Sequence, residues 1–249
     1  MSARPHVWAA AAAWAHVSQR FREGWRLLPA RDRRRWSRTI IGGYGVLVVV
    51  SLLLLVATKW ALARGLLAWE AGVLRDWIET LPVSFSTAVW IQVFGSDITL
   101  AILVSCTAGV AAAARRPLRA LSILAAYVLI DPVIRLVWLL WGRARPTVIM
   151  DGAAAPGFAS FPSGHVAKTL AVYGILAYLW GAASRSAAER TLAGALPIGI
   201  GGLVMIGRLR MGAHWPSDVL AGTLLGILWL LLLIIALRRG ETGVGEESS

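Results

Sequence analysis

The sequence predicts an all-α membrane protein, a six-span bundle of transmembrane helices with short interfacial helices. The 249 residues are 57% hydrophobic and only 15% charged, and the mean hydropathy is +0.67. A soluble chain of this length would carry more charge and would lack long uncharged stretches. Six stretches have roughly the 17–25 residues that a bilayer requires. They are 39–62, 85–110, 118–141, 165–183, 191–207 and 218–237.

Charged residues and prolines set the ends of these spans. The first span contains a run of valine and leucine at 46–55 that only one serine interrupts. Two arginines and a proline at 115–117 separate the second span from the third. The fourth begins near His165, the fifth ends before Arg208, and the sixth ends at the arginine pair 238–239. An arginine at the end of an apolar run is expected at the membrane surface, where its charge meets water.

We divide the chain into three segments. Residues 1–38 form a basic N-terminal segment, residues 39–237 form the membrane domain, and residues 238–249 form a tail of low hydrophobicity that is predicted to be disordered. With six spans, both termini and the even-numbered loops share one side of the membrane. That side carries nine arginines before residue 39, and seven more at Arg115, Arg116, Arg119, Arg185, Arg190, Arg238 and Arg239. The positive-inside rule therefore predicts that it is the cytoplasmic side.

Two further segments have the pattern of interfacial helices. Between the first two spans, apolar residues recur at helical spacing at Leu66, Trp69, Val73, Trp77 and Leu81, and charged residues lie between them at Glu70, Arg75, Asp76 and Glu79. This pattern predicts an amphipathic helix on the outer surface. Near the N-terminus the same spacing occurs at Trp14, Val17, Phe21, Trp25 and Leu28. An amphipathic helix and a disordered basic tail are equally good interpretations of that segment.

Composition also excludes several classes of function. The formal net charge is +12, but no basic stripe alternates with solvent-facing aromatic residues, so nucleic-acid binding is not expected. The chain has one cysteine, Cys106, which excludes an internal disulfide and makes a cysteine-based metal site implausible. No group of Asp, Glu, Cys or His has the spacing of metal ligands. We therefore expect neither a metal nor a cofactor.

Three short motifs stand at the ends of predicted spans. They are Arg145-Pro146, Pro162-Ser163-Gly164-His165, and Arg208-x5-His214-x3-Asp218. Titratable groups at the ends of membrane spans are costly, so a functional interpretation is the default. Arg145 follows span three, His165 opens span four, Arg208 follows span five and Asp218 opens span six. The predicted topology therefore brings all three motifs to the outer face of the membrane.

The residues of the three motifs have the chemistry needed to bind a phosphoryl group. Arg145 and Arg208 supply guanidinium groups, which match the geometry of phosphate oxygens. Ser163 and Gly164 open a predicted helix, where a hydroxyl and backbone N–H groups can point at an anion. Glycine also allows the backbone to approach closely.

The two histidines have the chemistry needed for phosphoryl transfer. His214 is the candidate nucleophile, because imidazole attacks phosphorus and forms a labile adduct. Asp218 lies four residues later and is expected to hold His214 in one tautomer and stabilise its cation. His165 is then the candidate general acid that protonates the leaving oxygen.

At these residues the chain resembles the type 2 phosphatidic acid phosphatase superfamily. The family signature reads K-x6-R-P, then P-S-G-H, then S-R-x5-H-x3-D, and the resemblance spans residues 135–237. It implies a membrane lipid phosphatase that needs no metal. In that family's pattern, His214 would be the nucleophile, Asp218 its partner and His165 the acid, with the phosphate held by Arg145, Arg208, Ser163 and Gly164.

Two positions depart from the family signature. Gly207 replaces the serine that opens the third block, and Trp138 replaces the lysine of the first block. Trp138 cannot bind an anion by charge, so another cation is expected to substitute for that lysine. We slightly favour Arg143 and Lys168 over Arg135. Asp131 lies four residues before Arg135, so an ion pair between them within the span accounts for Arg135 as well as phosphate binding does.

The sequence thus predicts a cell-membrane phosphatase with its active site on the extracytoplasmic side. Its partners are membrane lipids and a lipid phosphate substrate, for which undecaprenyl pyrophosphate, phosphatidylglycerol phosphate and phosphatidic acid are candidates. Two alternatives remain open. A lipid phosphotransferase would use an alcohol in place of water in the second step. A non-enzymatic lipid-phosphate transporter would need charges within the membrane, and only Asp97 and Asp131 in spans two and three support it.

Overall fold

A computed structural model describes residues 5–146 and 159–241, with side chains from residue 11 onward. Within these ranges the chain is built from helices and contains no strand. The predicted tail beyond residue 241, and the part of the predicted outer loop at 147–158, lie outside the described residues.

Six helical segments are long and apolar enough to cross a membrane, which confirms the predicted all-α six-span architecture. The spans are α2 (Ala30–Ala63), α4–α5 (Phe85–Gln92 and Asp97–Ala113, joined by a 3₁₀ turn at Val93–Gly95), α6–α7 (Pro117–Val128 and Ile130–Leu140), α8 (Gly164–Ala183), α9 (Ala187–Arg210) and α10 (Pro216–Glu241). Four of the spans are single helices, and one of these, α9, contains an internal proline. Two further helices complete the described fold: α1 (Pro5–Leu27) and α3 (Glu70–Thr80).

The spans are longer than the sequence predicted. Helix α2 begins at Ala30, directly after Pro29, and continues without a break through the predicted boundary at residue 39. Helix α9 begins at Ala187, where the Ser186 hydroxyl accepts a hydrogen bond from the backbone of the first turn. It ends at Arg210, so Arg208 lies in its last turn and does not follow it. Apolar length alone misses these polar extra turns, because they lie beyond the hydrocarbon core.

Two spans are interrupted where the sequence predicted continuous helices. In the second span, the Ser96 side chain accepts the Thr99 backbone N–H, and a new helix begins there. In the third span the helix breaks at Leu129. Pro132 explains this break, because it has no N–H for the carbonyl four residues earlier and its ring crowds that carbonyl.

Helix α10 lies at the centre of the bundle and packs against α2, α6 and α8. Trp229 on α10 is fully buried and donates its indole N–H to the Ala125 carbonyl of α6 at 3.0 Å. Two glycines one turn apart face α8. A Cβ at Gly222 would lie 2.5 Å from the Ser163 carbonyl oxygen, and one at Gly226 would lie 2.7 Å from that of Ala167. These glycines let the two helix backbones approach closely, as small residues do in membrane bundles.

The two interfacial segments differ in how well the sequence predicted them. The N-terminal segment is helical, and α1 packs against the turn between α5 and α6, where Glu23 pairs with Arg115 at 2.6 Å. Helix α3 begins only at Glu70, while residues 66–69 form turns. Glu70, one of the charged residues in the predicted amphipathic pattern, is buried and only 1% exposed. Trp77 on the same helix remains exposed.

The close contact between α8 and α10 generates a prediction about stability. Gly226→Ala should lower the free energy of unfolding by about 1–3 kcal/mol, because the new methyl group would press on a backbone carbonyl that cannot move aside. The unfolding midpoint in detergent measures this change. Gly194→Ala on α9 is the matched control, since a Cβ there meets nothing within 4 Å and alanine is the better helix former by about 1 kcal/mol. Equal midpoints for the two variants would contradict the prediction.

Candidate active site

The three motifs meet at one end of the bundle, as the span parity predicted. The Ser163 N–H donates to the Asp218 carbonyl at 3.0 Å, which joins the start of α8 to the start of α10. The Arg145 guanidinium donates to the Ala213 carbonyl at 2.7 Å. These contacts join segments that are far apart in sequence.

His214 occupies the interior of this cluster. It is 1% exposed, and its Nδ1 lies 2.7 Å from the Ser160 carbonyl oxygen. Since a carbonyl only accepts, Nδ1 carries the proton and Nε2 presents a lone pair. Burial, together with the positive charges of Arg208 and Arg145, lowers the pKa of His214 to about 4, although Asp218 opposes this shift. His214 is therefore a neutral imidazole at pH 7.

Asp218 holds a different position from the one expected of a triad carboxylate. Its Oδ2 lies 3.7 Å from His214 Nδ1, which is longer than a hydrogen bond. That oxygen instead accepts the Trp215 N–H at 2.8 Å, and Oδ1 accepts from Arg143 at 2.5 Å. The direct hydrogen-bond partner of the imidazole is thus Ser160, and Asp218 acts on it through its charge.

Arg208 is the cation closest to the proposed nucleophilic nitrogen. Its Nη2 lies 3.4 Å from His214 Nε2, and its Nη1 donates to Gln92 Oε1 at 2.5 Å. The side chain is buried, and its Nε has no hydrogen-bond partner among the described residues. This arrangement leaves a donor of the guanidinium available for an anion at His214.

Arg145 is held from two sides by backbone carbonyls. It donates to Ala213 at 2.7 Å and to Ala159 at 3.3 Å. Burial lowers the pKa of the Arg145 guanidinium from its usual value, and the charge of Asp218 partly opposes this. An arginine keeps its proton throughout the physiological range, so Arg145 contributes a fixed positive charge beside His214.

The start of α8 supplies a polar group without a partner. The Ser163 side chain is fully buried, and within the described part of the chain its hydroxyl has no hydrogen-bond partner. A buried hydroxyl of this kind is costly unless a ligand or water satisfies it. The expectation that the Ser163 N–H points at phosphate is wrong, because it is bonded to Asp218. Helix α8 begins at Gly164, and His165 is its second residue, close enough to Arg208, Lys168 and Arg145 to be affected by their positive charges.

Trp138, at the position of the family lysine, takes a structural role. Its indole N–H donates to the Pro162 carbonyl at 3.2 Å, and its ring lies against Gly164. A neutral donor thus fixes the backbone that leads into α8.

The three cations considered as substitutes for that lysine are all paired with carboxylates. Lys168 bonds to Asp97 and lies 3.1 Å from Asp131, while Arg135 pairs with Asp131 at 2.5 Å. Arg143 bonds to two buried carboxylates, one of which is Asp218. The geometry therefore favours ion pairing over direct phosphate binding for these residues, and the ion-pair interpretation of Arg135 agrees with the structure.

Sequence reasoning missed three residues of this site. Ser160 contributes only its carbonyl, for which no side-chain pattern exists. Gln92 bonds to Arg208, and its only sequence signal was a polar residue inside an apolar span. Glu70 bonds to Arg143 at 2.6 Å and to the Ser217 N–H at 2.7 Å. Within residues 5–146 and 159–241, no three side chains of His, Cys, Asp or Glu group together as metal ligands do.

Comparison with known proteins agrees with this geometry. The model of the PAP2 superfamily matches residues 118–240, which include all three motifs. None of the curated proteins matches the chain significantly. A crystal structure from Bacillus subtilis, described as that of the first transmembrane PAP2 type phosphatidylglycerolphosphate phosphatase, has a similar fold. The TM-score is 0.65 at 20% sequence identity, over 83% of this chain and 97% of the other. The chain is therefore a multi-pass membrane protein whose residues 118–240 match the PAP2 superfamily.

Proposed function

We propose that this membrane protein is a lipid phosphatase that works through a phosphohistidine intermediate. The observation that carries the proposal is the state of His214. Its Nδ1 proton is bound by a carbonyl, and its Nε2 lone pair faces the guanidinium of Arg208. A buried neutral imidazole beside a fixed cation is suited to attack an anionic phosphorus, because the cation offsets the charge of the substrate.

The reaction proceeds in two displacements. In the first, Nε2 of His214 forms a bond to phosphorus, the bond between phosphorus and the lipid oxygen breaks, and that oxygen takes a proton from His165. In the second, His165 removes a proton from water, and the oxygen of that water attacks phosphorus. The bond to His214 then breaks, and inorganic phosphate leaves. Asp218, 3.7 Å from Nδ1, stabilises the positive charge that the ring carries in between.

We assign phosphate binding to the cations near His214 and to the start of α8. Arg208 and Arg145 supply positive charge, and the unpartnered hydroxyl of Ser163 supplies a donor. Gly164 begins α8, whose first N–H groups lack partners within the helix. No step of this mechanism requires a metal ion, so the reaction is proposed to be metal-independent.

The substrate is proposed to be a lipid phosphomonoester or pyrophosphate in the outer leaflet. The match to the superfamily and the membrane-spanning fold support a lipid substrate. Phosphatidylglycerol phosphate, undecaprenyl pyrophosphate and phosphatidic acid are the candidate substrates. Phosphatidylglycerol phosphate is to be tested first, because the Bacillus subtilis protein of similar fold is described as a phosphatidylglycerolphosphate phosphatase. The excess of arginine at the opposite ends of the spans supports an outward-facing site.

Phosphate release from a panel of these three lipids by purified protein tests the proposed function. Turnover should continue in EDTA, and His214→Ala should abolish it, because no neighbouring group can replace the nucleophile. Acid-quenched wild-type protein should carry a labile phosphoryl group that the variant lacks. Full activity of His214→Ala would refute the enzyme assignment and favour the transporter. Loss of activity in EDTA with recovery in magnesium would refute the metal-free mechanism.

The role of His165 predicts a dependence on the leaving group. A lipid alkoxide needs a proton as it departs, whereas nitrophenolate needs little help. We therefore expect His165→Ala to slow hydrolysis of a phosphatidyl monoester by about 10²–10⁴-fold, the usual contribution of a general acid. Hydrolysis of nitrophenyl phosphate should slow far less. If the hydrolysis of both substrates slowed by the same factor, His165 would be a phosphate ligand and not the acid.

The proposed orientation can be measured by cysteine labelling. In a Cys106→Ala background, Glu79→Cys on α3 should react with an impermeant maleimide in intact cells, because α3 lies at the active-site end of the bundle. Ala188→Cys, which is exposed at the opposite end of α9, should react only after the cells are permeabilised. The reverse pattern would place the site in the cytoplasm and exclude an outer-leaflet substrate.

A further inference from the structure

A chain of buried ion pairs connects the interfacial helix α3 to the candidate active site. Arg143 Nη2 lies 2.6 Å from Glu70 Oε2, and Nη1 lies 2.5 Å from Asp218 Oδ1. All three side chains are at most 5% exposed. Charges removed from water in this way are tolerated only when they are paired and hydrogen-bonded. The pairs are therefore a fixed part of the structure and not a solvated surface contact.

Two aromatic rings also lie against the Arg143 side chain. The guanidinium lies 5.5 Å from the centroids of the Trp141 and Trp215 rings. Cations at this distance from an aromatic ring are attracted to its face. Trp215 is itself held, since its indole N–H donates to the Ala144 carbonyl at 2.9 Å. The Arg143 side chain consequently has one well-defined position.

Both supports of His214 lead back to residue 143. The Arg143 carbonyl accepts the Ser160 N–H at 2.9 Å, and the Ser160 carbonyl accepts from His214 Nδ1. The Arg143 side chain binds Asp218, the carboxylate nearest to the same ring nitrogen. One residue thus sets the hydrogen-bond partner of the imidazole through its backbone and the neighbouring charge through its side chain.

The start of α10 receives a second support from the same pairs. Arg143 Nη1 also bonds to the Ser217 hydroxyl at 2.7 Å, and Glu70 Oε1 accepts the Ser217 N–H at 2.7 Å. A carboxylate at a helix N-terminus satisfies a free N–H group and is favoured by the helix dipole. Glu70 therefore fixes the turn of backbone that follows His214 directly.

We propose that Arg143 is a positioning residue that holds Asp218 in place beside His214, and that Glu70 of α3 in turn holds Arg143. This proposal rests on the proposed role of His214 as nucleophile. It assigns to α3 a function beyond membrane contact, because the helix supplies a buried carboxylate to the site. The proposal assigns Arg143 to positioning and not to phosphate binding, because both of its terminal nitrogens are bonded to buried carboxylates.

A double-mutant cycle separates positioning from the other roles that an arginine can have. Arg143→Gln should lower kcat by about 10- to 100-fold, the range of coupling between residues in contact, and should change KM by less than about threefold. In an Asp218→Asn background the same substitution should cost less than about threefold, because the group that Arg143 positions is already altered. Losses that multiply in the double variant would overturn the proposal.

Inhibition by inorganic phosphate distinguishes positioning from phosphate binding. The inhibition constant of Arg143→Gln should stay within about threefold of wild type, because the guanidinium is bonded to carboxylates and not to the anion. A loss of tenfold or more would make Arg143 a phosphate ligand and overturn the proposal. Arg75 is an exposed arginine on α3, so Arg75→Gln is the control. It should leave kcat and the inhibition constant for phosphate unchanged.

The contribution of α3 is tested through Glu70. Glu70→Gln keeps the size of the side chain but removes its charge, so kcat should fall in the same direction as for Arg143→Gln. Glu79→Gln, on the exposed part of the same helix, should have wild-type kcat. If Glu70→Gln also had wild-type kcat, the link to α3 would be refuted.

A second variant covers the case in which Arg143→Gln does not fold, as judged by its unfolding midpoint in detergent. Arg143→Lys keeps the charge but can reach only one of the two carboxylates, so it should keep more activity than Arg143→Gln and still depend on Asp218. Failure of the proposed function would be seen separately, because the phosphoenzyme would then still form in the His214→Ala variant. Multiplicative losses for the lysine variant and Asp218→Asn would overturn the positioning role.

Discussion

The close approach of α8 and α10 is the constraint on which the rest of the site depends. Gly222 and Gly226 leave room for the backbone of α8, so the Ser163 N–H reaches the Asp218 carbonyl. Larger residues at these positions would separate the two helix starts. Ser163 and Gly164 stand at the start of α8, whereas His214 and Asp218 stand at the start of α10. The distance between these two helices therefore sets the distance between the groups proposed to bind phosphate and the histidine proposed to attack it.

Charge balance is the second condition that the site meets. Two buried carboxylates, Glu70 and Asp218, are bonded to Arg143, and Asp218 lies 3.7 Å from Nδ1 of His214. The positive charges of Arg208 and Arg145 act on the same imidazole. These interactions are strong because the groups are buried in a region of low polarity.

Much of the fold and part of the site could be predicted from the sequence. The six spans follow from the length of the apolar stretches, which is a local property of the sequence. The meeting of the three motifs follows from counting the spans that separate them. The roles of Ser160 and Glu70 could not be predicted in this way. A backbone carbonyl leaves no mark in the sequence, and Glu70 has the spacing of an ordinary charged residue on an amphipathic helix. Only the packing of α3 against the start of α10 makes it a buried partner. The span ends at Ala30 and Ala187 were missed because polar helical turns lack the apolar signal.

The contact between Arg208 and His214 bears on how a phosphoryl group would bind and leave. Nη2 of Arg208 lies 3.4 Å from Nε2, the nitrogen proposed to bond to phosphorus. In the proposed mechanism, an arriving phosphoryl group would have to take the place that the guanidinium holds, and the guanidinium would transfer its hydrogen bond from nitrogen to the phosphoryl oxygens. When phosphate departed, the imidazole would accept the same donor again. Arg208 would therefore compete with the substrate for the nucleophile and would also help to expel the product.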